Sequence, residues 1–129
     1  MRVWLLGAAF ALASGLAACQ SSSGSAASAI EAYLQARVES NLDQMIRISC
    51  PEWEAQARIE ATSFEAMNAG LEGVTCQDGG TEGNYRLVSC QGKIVTTYQG
   101  EAREWSVAEH PYKAILDDGE WRMCGYQGE

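Results

Sequence analysis

Reactive side chains are sparse after residue 40, and four cysteines stand out: Cys50, Cys76, Cys90 and Cys124. As metal ligands they lack any Cys-x-x-Cys pair and have only His110 to join them, so two disulfides are the expected chemistry. Cys76 and Cys90 flank a glycine-rich stretch, and direct opposition on neighbouring strands needs a turn centred on Gly83. That pairing closes a loop of about 15 residues, worth roughly 3 kcal/mol by chain entropy. It leaves Cys50 to join Cys124, stapling a helical segment to the last strand. The rival set, Cys50–Cys76 with Cys90–Cys124, also ties helix to sheet, and spacing alone leaves both open. Acid–base candidates are thin. His110 precedes Pro111 at a strand break and reads as an edge position rather than a pocket wall. Asp43 lies in a helix-capping turn, while Asp117 and Asp118 belong to a hairpin. No Ser-His-Asp set, phosphate-cradling glycine loop or metal cluster is legible, and no cofactor is expected.

The fifth cysteine, Cys19, has a different context. Arg2 supplies a positive charge, Val3 to Ala13 is uninterrupted by polar residues, and Ser14-Gly15 leads into Leu16-Ala17-Ala18-Cys19. Charged, apolar and small segments in that order form a secretory signal, too short for a spanning helix of about 20 residues. The four-residue box resembles the Leu-(Ala/Ser)-(Gly/Ala)-Cys signal of bacterial lipoproteins at every position. The resemblance implies cleavage after residue 18, lipidation of Cys19 and a membrane partner reached through that lipid. Each buried methylene of an acyl chain adds about 0.8 kcal/mol to the anchor. Gln20 follows where an Asp would mark inner-membrane retention, so the outer membrane is expected where the organism has one.

Removing 18 residues from 129 leaves about 110, enough for one domain. The net charge of −8 becomes one unit more negative as Arg2 departs. Repulsion then opposes nucleic acid and anionic lipid as partners. A basic protein or cationic ligand stays open, although a merely soluble acidic surface is the plainer explanation. Residues 19–28, dominated by Ser, Ala and Gly, read as a flexible tether, and residues 29–127 as the folded domain.

The elements follow from periodicity. Ile30, Tyr33, Leu34 and Val38 recur at helical spacing. Asn41 with Gln44 forms a capping-box pattern that restarts the helix over Leu42, Met45 and Ile46. Pro51 suits a first helical position, and Trp53, Ala57, Ala61, Phe64 and Met67 then line one side until Asn68-Ala69-Gly70. The period changes after that. Leu71 to Gln77 predicts a short strand and Asp78 to Asn84 a loop. From Tyr85 to Tyr98 the even positions Val88, Cys90, Ile94, Thr96 and Tyr98 alternate with polar residues, and Gly92 predicts a bulge or bend. Gln99-Gly100 turns into a strand over Ala102 to Ala108, Tyr112 to Leu116 predicts another, and Asp118-Gly119 makes a type I′ turn into Trp121 to Tyr126.

Helices followed by a bent antiparallel meander make an α+β layout. The opening helix with Ala32-Tyr33-Leu34, the bent strand and the closing Asp118-Gly119-Glu120-Trp121-Arg122-Met123-Cys124 resemble the nuclear-transport-factor-2-like superfamily, over Ala29 to Tyr126. The resemblance is strongest to its uncharacterised small lipoproteins, and it implies a curved sheet around a helix with an apolar pocket at the open end. Trp53, Phe64, Tyr98, Trp105, Tyr112 and Trp121 are then candidates for pocket lining, with ordinary core packing the simpler role for each. Enzymes of the superfamily, such as ketosteroid isomerase and the SnoaL-like cyclases, need a base inside that pocket. With no strong candidate base, the expected function is non-catalytic binding of a protein or small apolar ligand. A pocket enzyme and an acidic inhibitor of a basic envelope hydrolase are the alternatives.

Overall fold

The computed structural model describes residues 24–128. The signal segment, Cys19 and the first half of the expected tether lie outside the described residues. Three helices precede five strands: α1 (Ala26–Val38), α2 (Leu42–Ile48), a 3-10 turn (Pro51–Trp53) and α3 (Glu54–Ala61). The strands are β1 (Gly70–Glu82), β2 (Tyr85–Tyr98), β3 (Glu101–Ser106), β4 (Tyr112–Asp117) and β5 (Glu120–Tyr126). The architecture is α+β, with the helices packed on an open five-stranded antiparallel sheet.

α1 begins earlier than the boundary at 29. Ser25 is its N-cap, its hydroxyl accepting from the Ser28 amide at 3.1 Å, and Ala26 and Ala27 are buried. The Ser/Ala composition that reads as tether also supplies a cap and a small-residue helix start. Asp78 Oδ1 accepts the Ala27 amide at 2.7 Å, placing a carboxylate where the helix dipole favours it. Four residues on, Glu31 Oε1 accepts the Cys76 amide at 2.8 Å. These two bonds clamp α1 across β1, an edge strand whose free amides would otherwise invite another chain.

The capping turn at Asn41 forms as expected, Oδ1 accepting the Gln44 amide at 3.2 Å. α3 is shorter than its apolar stripe. Thr62 and Ser63 turn their hydroxyls onto the carbonyls of Ile59 and Glu60, competing with the next helical turn. Ala66 and Asn68 then adopt positive φ, so Phe64 and Met67 pack from a series of turns.

The sheet is organised by β2. Its N-terminal part, Tyr85–Val88, pairs with β4, and its C-terminal part, Lys93–Tyr98, pairs with β3 along the same edge. Between them lies Gly92 at φ 101, opposite a bulge at Gly73-Val74. A Cβ at Gly92 would fall 2.5 Å from the Gly73 carbonyl oxygen, so only glycine permits this approach.

The predicted loop over Asp78 to Asn84 is mostly strand: β1 runs to Glu82, and only Gly83-Asn84 turn. Glu82 faces Tyr85 and Thr81 faces Arg86, but Asp78 faces Val88. Gly79-Gly80 thus oppose Leu87 alone. Without that bulge Cys76 would face Gln91; with it, Cys76 faces Cys90, and the two are bonded. The second bridge joins Cys50 to Cys124, beside the hydrogen bond from the Cys50 amide to the Met123 carbonyl at 2.8 Å. Two disulfides are the chemistry of an oxidising compartment. No described helix is long and apolar enough to cross a membrane.

The core lies between α1 and the sheet. Tyr33, Ile30, Leu34, Met45, Met123 and Val88 are fully buried. At the far end of this layer the segment from Val107 to Pro111 crosses from β3 to β4, and the core opens into a cavity.

Candidate functional site

α3 presents Ala57, Glu60 and Ala61 towards the interior, and Phe64 follows from the turns beyond it. Glu60 is therefore carried into the core by its neighbours and is only 6% exposed. A buried carboxylate costs several kcal/mol unless its oxygens are satisfied, and here they are. Tyr33 Oη donates to Oε1 at 2.6 Å and Tyr126 Oη to Oε2 at 2.7 Å. Arg37 Nη1 lies 3.4 Å from Oε2. Trp53 Nε1 donates to Tyr33 Oη at 3.0 Å, and the Trp53 ring meets Tyr126 edge-on at 5.4 Å. One carboxylate thereby links α1, α3 and β5.

The tyrosine hydroxyls are held well above their ordinary range. Burial is the main cause for Tyr33 and Tyr126, reinforced by the charge and hydrogen bond of Glu60. Both remain neutral donors. Burial also pushes Tyr112 up to about 12, Arg37 pulling the other way while Glu60 and Glu109 add to the rise. Tyr112 donates to the Val107 carbonyl at 3.0 Å, which pins the crossing segment to β4.

Beside this network lies an open cavity of about 300 Å³, lined by Glu60, Arg37, Phe64, Tyr112 and Tyr126 and bordered by Trp105, Ser106, Glu109 and His110. Its size matches the lower end of small-molecule sites. Arg37 stacks its guanidinium over Phe64 at 5.0 Å and donates through Nε to Ser63 Oγ at 3.3 Å. Phe64 in turn tilts against Trp105 at 5.9 Å.

The aromatic candidates separate into three environments. Phe64, Trp105 and Tyr112 line the cavity, and Trp53 stands behind it through Tyr33. Tyr98, 54% exposed, flanks a second groove with Met67, Thr96 and Trp105, where the Trp105 indole donates to Thr96 Oγ1 at 3.0 Å. Trp121 belongs to neither; it packs under Arg86 at 5.9 Å. His110 is exposed, as an edge position would be, yet it also borders the cavity. Asp43, Asp117 and Asp118 are exposed and away from the cavity, and Asp117 pairs with Arg122 at 3.3 Å. Asp118 and Gly119 form their turn with φ 54 and 80. Cys50, Glu52 and Cys124 cluster at metal-binding distance, but both sulfurs are engaged in the disulfide and offer no thiolate.

Glu60 and Arg37 are the site residues that sequence reasoning passed over. A signal existed: Glu60 lies three residues after Ala57 and four before Phe64, on the apolar stripe itself. Its partners are 27 and 66 residues away, so nothing local reports that its charge is answered. Chemically, three donors converge on Glu60, and the tyrosines stay protonated. The cavity floor is a fixed polar lattice beneath an aromatic wall. No protein-family model matches the chain, and neither the curated proteins nor the solved structures give a match.

Proposed function

We propose that this chain is a lipid-anchored binding domain of the bacterial envelope, non-catalytic, taking a small ligand into the Glu60 cavity. The single observation that carries the reading is the cavity itself, of about 300 Å³, with aromatic walls and a pre-formed polar floor. Binding is favoured over turnover because both Glu60 oxygens are already engaged by donors. General-base work needs a carboxylate free to receive a substrate proton. The anchor is the Cys19 lipid implied by the Leu16–Cys19 box, and the two disulfides support an exported domain. A nuclear-transport-factor-2-like cone is the finer fold proposed. A helix across a bent antiparallel sheet, glycine-marked bulges and a cavity at the open end support it.

Native mass spectrometry of protein extracted from its own membranes tests the binding reading. The expected result is a small molecule retained by the wild-type chain and lost in Ser106→Trp, which fills the cavity from its rim. Retention of the same molecule by Ser106→Trp overturns the assignment.

A further inference from the structure

The charges around the cavity are not all answered. Both oxygens of Glu60 are engaged, by Tyr33, Tyr126 and Arg37, so it acts on the site chiefly by fixing Arg37. Of the guanidinium, Nε is committed to Ser63 and Nη1 to Glu60. Nη2 has no hydrogen-bond partner among the described residues, and the side chain is 20% exposed. A guanidinium has five N–H donors and Arg37 lines the cavity, so the Nη2 donors are left for a ligand. On the rim, Glu109 forms no ion pair among the described residues. Arg37 and Glu109 line the same cavity. Trp105 and Tyr112 line it with them.

Resting on the binding reading above, we propose that the cavity's ligand is a small zwitterion of the α-amino-acid type with an apolar or aromatic side chain. Its carboxylate accepts from the free Nη2 of Arg37 in a charge-assisted hydrogen bond. Its ammonium group faces Glu109, and its side chain lies against Trp105 and Tyr112. An anion alone meets the acidic chain, net −8, without a compensating cation of its own. A cation alone leaves the Arg37 Nη2 donors desolvated and unpaired. A ligand carrying both charges on one carbon satisfies the two walls together.

Three probes with one ring separate these cases by calorimetry on the full lipidated protein in detergent: phenylalanine, phenethylamine, which lacks the carboxylate, and phenylpropanoate, which lacks the amine. Phenylalanine is expected to bind at least about tenfold tighter than either, the ratio one lost charge pair of about 1.4 kcal/mol produces. Glu109→Gln, at an exposed position outside the core, is expected to weaken phenylalanine about fivefold or more while leaving phenylpropanoate unchanged. Arg37→Lys is expected to weaken phenylalanine and phenylpropanoate but not phenethylamine. Equal affinity of phenylalanine and either analogue overturns the proposal, as does a Glu109→Gln protein indistinguishable from wild type. If none of the three binds, the zwitterion class is wrong. The binding reading then still stands or falls on the molecule retained in native mass spectrometry.

Discussion

Removing a single oxygen from Tyr33 gives the sharpest prediction about the Glu60 network. Tyr33 is fully buried, donates to Glu60 at 2.6 Å and accepts from Trp53 at 3.0 Å. Tyr33→Phe keeps the ring and deletes both bonds. Loss of a hydrogen bond to a charged group costs about 1.5–3 kcal/mol, and stranding the Trp53 N–H adds about 1 kcal/mol. The expected destabilisation is therefore about 3 kcal/mol. With a urea m-value of about 1.5 kcal/mol/M, the unfolding midpoint of the oxidised protein falls by about 2 M. Tyr112→Phe is the control: it deletes one bond to a neutral carbonyl, worth about 1 kcal/mol, and lowers the midpoint by about 0.7 M. Combining Tyr33→Phe with Tyr126→Phe leaves Glu60 facing Arg37 alone, so the double variant is expected to lose more than the two single losses added, by over 0.5 kcal/mol or so. If Tyr33→Phe costs no more than Tyr112→Phe, or the pair is additive, the carboxylate is not the hub described here.

Alkaline stability follows from the same site. The hydroxyls of Tyr33, Tyr126 and Tyr112 are all raised in the folded chain. Their contribution is fully present below the unfolded value of about 10 and is lost as pH rises through the folded values, at about 1.4 kcal/mol per pH unit for each tyrosine. Urea midpoints are expected to fall steeply above pH 10 or so, with tyrosinate absorbance appearing together with unfolding; gradual tyrosinate formation in a folded chain counts against it. Gly92→Ala puts a Cβ 2.5 Å from the Gly73 oxygen and is expected to destabilise by at least about 2 kcal/mol, whereas Gly119→Ala, open in space but at φ 80, should cost about 1 kcal/mol; equal urea midpoints would remove the close-approach argument. Cys19→Ser is expected to abolish palmitate labelling and processing of the precursor, and labelling at the wild-type level would refute the anchor.

Local features were legible in the sequence wherever the physics is local. The Asn41 cap, the Asp118-Gly119 turn and the inward alternation of Val88, Cys90, Ile94 and Thr96 each depend on residues within a few positions. Element ends were less so. Phe64 and Met67 continue a helical stripe, yet hydroxyls at Thr62 and Ser63 end the helix before them. Asp78-Gly79-Gly80 reads as loop by composition, but pairing with β2 and contact with α1 make it strand. The disulfide register depended on a bulge that no spacing rule located. For the site, the aromatic wall was partly visible as Phe64, Trp105 and Tyr112. The floor was not, because Tyr33, Glu60 and Tyr126 meet only after helix and sheet have docked.

The central claim, a small molecule seated beside Glu60, is tested most directly by indole N–H resonances of nitrogen-labelled tryptophan. Trp105 lines the cavity, Trp53 reaches its floor through Tyr33, and Trp121 lies elsewhere. On adding the small molecule recovered from the membrane-extracted protein to ligand-stripped protein, the Trp105 signal, followed by that of Trp53, is expected to shift saturably while Trp121 stays fixed. A shift of Trp121 with Trp105 unmoved, or no shift of any indole, would contradict the account.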